Sequence, residues 1–245
     1  MPSINRRDMR SNRLLQALPS GDYKRLERHL QLVSFTAKQS VYEPHHPIKS
    51  VYFPLNGALD LVKLLEGGES VSVATLGKEG FVGHAIILGT DRMPDQVLCE
   101  IPSTCAMMQV EAFSEQAAPG SPLETILLRY LEALFNEAAQ IAACNRFHSI
   151  QKRMARCLLL KHDRAGIKEL ATTHEFLAVT LGVRRATVTE TVAILQKAGL
   201  IRSTRGRIAL TDLSSLTAAA CECYHDITEE YERVMHSGVQ GGKGR

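Results

Sequence analysis

The stretch that most restricts this chain is "TTHEFLAVTLGVRRATVTETVAILQKAGLI", residues 172–201. Thr173 is placed to cap a short helix containing Phe176, Leu177, Ala178 and Leu181. Gly182 supplies a tight turn, and a second helix follows. In that helix Val188, Val192 and Leu195 share one face, with Val183 packed behind them in the turn. The opposite face carries Arg185, Ala186, Thr189 and Glu190. Two short helices across a glycine turn make a helix-turn-helix.

Two arginines at the head of a helix need an external partner. The macrodipole places about half a positive charge there, so cations are locally unfavourable. An N-terminus inserted into a DNA major groove supplies the negative charge. Arg184 and Arg185 would meet phosphates and guanine edges, where arginine makes two parallel hydrogen bonds to O6 and N7. Glu190 can accept from cytosine N4 or orient either arginine, and Thr187 and Thr189 can reach phosphates. The following "LIRSTRGRIALTD" sets two β runs around a basic turn, which makes the unit a winged helix. Arg205 and Arg207 in that wing would lie along the sugar-phosphate backbone.

Charge supports this division. Between Lys152 and Thr211, twelve Lys and Arg stand against four acids, although the whole chain carries only +3. One basic segment on a slightly acidic body fits a polyanion partner for that segment alone.

Upstream, about 33–116 reads as short β runs punctuated by turn residues, the spacing of a sandwich or barrel. Asn56-Gly57 between "SVYFPL" and "ALDLVKLL" carries the signal of a tight hairpin. Before this zone, "NRLLQALPSGDYKRLERHLQL" reads as a short helical lead-in broken at Pro19-Ser20-Gly21. After it, Pro122 is placed to open a long helix. There Leu123, Leu127, Tyr130, Leu134, Ala138, Ile141 and Asn145 alternate at the four-three spacing of a coiled-coil seam. Ile126, Leu131 and Phe135 widen the apolar face, which also suits a helix lying on its own β-domain. "FHSIQKRMARCLLLKHD" forms the next amphipathic helix.

The expected architecture is α+β. A β-rich domain of sandwich or barrel type occupies residues 12–116, a long helix with a coiled-coil seam 122–145, and a winged helix-turn-helix DNA-binding domain 146–236. The basic start reads as mature protein, since it has neither an apolar core nor a small-residue cleavage site. The tail "SGVQGGKGR" reads as frayed. No apolar run approaches the length of a membrane span, and six dispersed cysteines suit free thiols in a reducing cytoplasm.

These blocks resemble the Crp/Fnr transcription regulators over nearly the whole chain. "FLAVTLGVRRATVTETVAILQKAGLI" with "RGRIALTDLSSL" looks like their winged helix-turn-helix, and "KRMARCLLLKHD" resembles the helix that opens that domain. "VYFPLNGALDLVKLLEGGESVSVATLGKEGFVG" looks like their cyclic-nucleotide-binding roll. The resemblance implies an N-terminal double-stranded, jelly-roll-like β-roll as a sensor domain (12–116), a dimerisation helix (122–145), a homodimer on double-stranded DNA, a small-molecule effector, a bacterial cytoplasmic setting and RNA polymerase as a further partner. It also implies effector contacts at Gly83, His84 and Arg92, with departures. His84 stands where the cyclic AMP branch has a glutamate, and Arg92 is followed by Met93-Pro94 instead of Ser or Thr. Standard cyclic AMP binding is therefore not expected. The iron–sulfur branch uses N-terminal cysteines, and this chain has none before Cys99. Ala186 and Glu190 also depart from the family's usual recognition helix, so the preferred DNA sequence should differ.

Cys221, Cys223 and His225 lie close together, but residues two apart on a helix diverge, so a shared metal requires the helix to break there. They read as buried thiols; no metal is assigned and any cofactor is unidentified. His45-His46 reads as solvated loop. No phosphate loop, zinc-protease motif or nucleophile elbow is present, so an enzyme is not expected. The rival reading is a small-ligand-binding signalling module with a vestigial DNA-binding domain.

Overall fold

The computed structural model describes residues 6–236, so the tail 237–245 lies outside it. After a 3-10 turn (Arg6–Ser11) come two short helices, α1 (Arg13–Ala17) and α2 (Ser20–Glu27). Buried Asn12 caps α1 with its side-chain oxygen, while its amide donates to the carbonyls of Pro54 and Gly80 at 3.0 and 2.9 Å. One side chain thus starts the helix and ties it to the sheet behind.

Seven strands form the roll: β1 (Gln31–Phe35), β2 (Ser40–Tyr42), β3 (Ser50–Pro54), β4 (Ala58–Leu64), β5 (Ser70–Leu76), β6 (Gln96–Ile101) and β7 (Ser103–Gln109). They make two antiparallel sheets, ordered β1-β7-β3 and β2-β6-β4-β5. A short helix α3 (His84–Ile87) interrupts the strand sequence, and α4 (Val110–Gln116) closes it. Between the sheets Phe53, Phe81 and Phe113 lie ring to ring, with centroids 5.1 and 5.3 Å apart.

Asn56-Gly57 is not a hairpin. It carries the chain from β3 in one sheet to β4 in the other. Gly57 has φ +69°, and a Cβ there would run into the Pro102 carbonyl. Asn56 anchors the corner by accepting the Thr104 amide at 2.7 Å. Positive φ is what both a hairpin and this corner need, so the local signal does not distinguish them. Within the roll, the hairpin is β4–β5, closed around Gly68.

The long helix α5 (Pro122–Phe147) opens with Pro122 in its first turn, as expected, and Ser121 is its N-cap. It corrects the seam. Leu123, Leu127, Tyr130 and Leu134 are buried inside the same chain, in one core with the roll. The helix is apolar on two sides, and the side with Leu127, Tyr130 and Leu134 covers the roll. Its outer side exposes Leu128, Phe135 and Ala142, with half-buried Leu131 and Ala138 between them at three-four spacing, and Phe135 is 74% exposed.

The second core is built on α6 (Ile150–Ala165), β8 (Glu169–Leu170), α7 (His174–Leu181), α8 (Arg185–Lys197), β9 (Ile201–Thr204), β10 (Arg207–Leu210) and α9 (Leu213–Ala219). The last helix, α10 (Cys223–His236), departs from the sequence division that assigned 146–236 to one unit. Its Ile227, Tyr231 and Val234 belong to the first core, packed along α5. That face of α10 is apolar and meets the flank of α5 that the roll leaves open.

Buried charges join the two cores. Lys161 of α6 is bonded to Glu100 and lies 3.3 Å from Asp60, both on roll strands. Thr172 donates to the other Glu100 oxygen at 2.7 Å. Arg164 grips Glu137 of α5 with two bonds of 2.9 and 2.7 Å and reaches Glu79 at 3.2 Å. Buried ions persist only when paired and hydrogen-bonded, so these pairs fix where α6 sits on the roll.

Candidate nucleic-acid interface

Thr173 caps α7, its hydroxyl accepting the Phe176 amide at 3.2 Å. Gly182 ends that helix in the left-handed region (φ 60°, ψ 42°), which L side chains rarely adopt. The chain then re-enters a helix at α8, whose Val188, Val192 and Leu195 are buried as the sequence pattern requires.

Arg184 is the N-cap of α8 in extended conformation, and no side chain caps the helix. The first-turn amides therefore have no side-chain partner, and Arg184 and Arg185 project beside them, both exposed. Unpaired helix N–H groups and two guanidiniums form one positive end. Arg185 makes only a loose contact with Glu175, 3.9 Å apart on an exposed surface. Thr189 is exposed, receives a ring-nitrogen contact from His174 at 3.0 Å and donates to the Arg185 carbonyl. Thr187 is half-buried, and its carbonyl is bonded by Thr191. Glu190 is exposed and pairs with neither arginine; the acid beside Arg185 is Glu175, which the sequence pattern did not single out.

The wing is a three-stranded sheet, β8-β10-β9, with a two-residue turn at Arg205-Gly206. Gly206 has φ 74°. Arg205 is exposed, whereas Arg207 is bonded to Glu169 at 3.1 Å. Exposed pairs of this kind contribute little and are readily exchanged.

The effector candidates are less convergent. Gly83 (φ 132°) is held by packing, because a Cβ there would sit 2.6 Å from Val51. His84 opens α3, and burial lowers its pKa against the opposing pull of Asp95. Arg92 is exposed in a loop, 3.6 Å from Asp91. A nearby cavity of about 270 Å³ is lined by Tyr42, Glu43, His46, Lys49 and Tyr52, not by His84 or Arg92.

A β-roll joined through a long helix to a winged helix-turn-helix with an exposed arginine-headed helix defines a DNA-binding transcription regulator, not an enzyme. Residues 32–118 match the cyclic nucleotide-binding domain and residues 152–219 the Crp-like helix-turn-helix domain. The transcriptional regulator SdrP of Thermus thermophilus is 28% identical over 198 residues, covering 78% of this chain and 94% of SdrP. A crystal structure of a CRP/FNR-family regulator from the same organism aligns with TM-score 0.63 at 25% identity, over 78% of this chain and 98% of that one. A Crp/Fnr-family structure from Eubacterium rectale shares the fold, with TM-score 0.65 at 19% identity over 84% and 96%. The chain belongs to the Crp/Fnr family of transcription regulators. Among its described residues no helix is long and apolar enough to cross a membrane.

Proposed function

We propose that the protein acts in the bacterial cytoplasm as a homodimer on a roughly palindromic double-stranded operator, with RNA polymerase as a further partner. One observation carries this reading: Arg184 and Arg185 stand exposed at the uncapped N-terminus of α8. A two-fold protein presents two such helices to half-sites about one helical turn apart, roughly 34–36 Å. Arg185 reads a guanine, Arg184, Thr187 and Thr189 meet phosphates, and Arg205 and Arg207 hold the backbone. Glu190, unpaired with either arginine, is free to accept from a cytosine. The exposed stripe of α5 is the dimer seam. The roll responds to a small molecule around Gly83, His84 and Arg92 without binding cyclic AMP in the usual manner.

The test compares operator and scrambled DNA. Arg185→Ala should lose about 1–3 kcal/mol of discrimination per half-site and relax one base position. Equal weakening on both DNAs would make Arg185 a phosphate contact and overturn its role. Glu190→Ala should relax a different position; mimicry of Arg185→Ala would show that it orients the arginine instead.

A further inference from the structure

Four side chains from distant parts of the sequence meet where the two cores join. Cys144 and His148 lie at the C-terminal end of α5 and just beyond it; Cys221 and Cys223 flank the break between α9 and α10. Their potential ligand atoms all fall within 4.8 Å of one another. Cys144 and Cys221 sulfurs are 3.5 Å apart, and Cys223 Sγ is 3.4 Å from His148 Nδ1. A tetrahedral ion with bonds of about 2.3 Å to sulfur and 2.0–2.1 Å to nitrogen needs edges of about 3.5–3.8 Å. The helix break that Cys221 and Cys223 require in order to share an ion is present: α9 ends at Ala219 and α10 begins at Cys223. His225 is not part of the group; it is exposed against Tyr224.

The surroundings are built for such an ion. His148 Nε2 lies 3.1 Å from the Glu222 carboxylate, which places the ring proton there and leaves the Nδ1 lone pair facing the sulfurs. Gln140 donates to Cys223 Sγ at 3.2 Å. Three thiolates, a neutral imidazole and a divalent ion sum to one negative charge. Two buried arginines of α6 face that charge: Arg156 acts on Cys144, and Arg153 on Cys144 and Cys221. The Nε of each has no hydrogen-bond partner. Buried guanidiniums left short of partners are costly unless an anionic group lies beside them.

We infer that Cys144, His148, Cys221 and Cys223 form a Cys3His site for Zn(II), a structural clamp on both chain crossings between the sensor body and the DNA-binding domain. Soft thiolates with imidazole in a closed tetrahedron suit zinc. On binding, three thiols release protons to solvent, the ion exchanges its waters for four protein ligands, and no electrons move. The α5–α6 junction and the α9–α10 junction are thereby held to one point, fixing the DNA-binding domain on the long helix.

The full-length protein, purified under reducing conditions without a metal-binding tag, should carry about one zinc per chain. Replacement by Co(II) should give a thiolate charge-transfer band and the intense visible bands of a tetrahedral ion. Cys223→Ser and His148→Gln should each lose about 100-fold or more in Co(II) and Zn(II) affinity, and Glu222→Gln about 10-fold. Cys105→Ser, in the roll, should change neither spectrum nor affinity. Folding is matched by circular dichroism; if a cysteine variant fails to fold, His148→Gln and the parent protein's cobalt spectrum decide. Substoichiometric zinc after reduction and reconstitution, or an octahedral cobalt spectrum, overturns the site. Iron in place of zinc, or a mapped Cys144–Cys221 disulfide with no zinc uptake after reduction, overturns it equally.

Discussion

Leu134 and Phe135 are neighbours on the long helix and face opposite environments: Leu134 is 8% exposed inside its own chain, Phe135 74% exposed to solvent. A glutamate at each position therefore separates folding from association. Phe135→Glu should leave the fold intact and convert the proposed dimer to monomer, because it would put two like charges on the proposed seam. Leu134→Glu should instead destabilise the chain by several kcal/mol, by burying an unpaired charge. Light scattering at micromolar concentration with thermal melts checks both. If Phe135→Glu stayed dimeric, the exposed stripe would not be the seam.

A second prediction concerns the corner at Gly57. Its φ of +69° and the Pro102 carbonyl against its missing Cβ leave no room for a side chain. Gly57→Ala should cost about 1–3 kcal/mol by denaturant unfolding. A neutral effect would show that the corner can open.

Glu100 links stability to pH. Burial pushes its carboxyl up to about 7, against the pull of Lys161, while Asp60 pushes it in the same direction as burial. One lysine faces two carboxylates, so a proton is retained to balance the buried group. Between its ordinary value of 4.5 and about 7, the folded protein holds a proton that the unfolded chain has released. Stability from this site is therefore highest below pH 4.5, falls through that window, and levels above 7. The loss amounts to about 3 kcal/mol at roughly 1.4 kcal/mol per unit. Glu100→Gln should remove this slope, so that the parent's advantage over the variant shrinks between pH 5.5 and 7.5. A pH-independent difference would refute the retained proton.

Effector selectivity gives a fourth. His84 is kept neutral by burial, and Arg92 points into solvent beside Asp91. His84 has no carboxylate to offer a ribose hydroxyl, and the Arg92 guanidinium lies outside the nearby cavity, beside Asp91. Calorimetry with cyclic AMP should show no micromolar binding. Micromolar binding abolished by His84→Ala would restore the usual mode.

The helix-turn-helix was legible because its determinants are local. Thr173, Gly182 and the Val188–Val192–Leu195 face each act within a few residues. The open N-terminus at Arg184 follows from the same run. The long helix is legible as a helix but not by face: both of its sides are apolar, and periodicity does not say which side meets the roll. Asn56-Gly57 is ambiguous for a similar reason, since positive φ specifies a turn and not the sheet its exits join. The thiol group was half visible. Cys221 and Cys223 stand out in sequence, but Cys144 and His148 lie more than seventy residues away. Their C-x3-H spacing at the end of a helix was the one available signal.

The wing offers the sharpest test of how the DNA face is divided. Arg205 is exposed in the turn, while Arg207 is bonded to Glu169 at 3.1 Å. To reach a phosphate, Arg207 must exchange that carboxylate, and an exposed pair gives it up for about 0–1 kcal/mol. Both arginines are therefore available, but unequally. Arg205→Ala should weaken binding to operator and scrambled DNA alike, and reduce the salt slope by about one unit for each phosphate no longer held. Arg207→Ala should do the same with a smaller drop in affinity, because the parent must release Glu169 in order to bind. Glu169→Gln should free Arg207 and tighten both DNAs slightly at low salt. Affinities measured across a salt series for all three variants decide the matter. If Arg205→Ala changed base preference while leaving the salt slope intact, the wing would be reading sequence, and the division between reading helix and holding wing would be wrong.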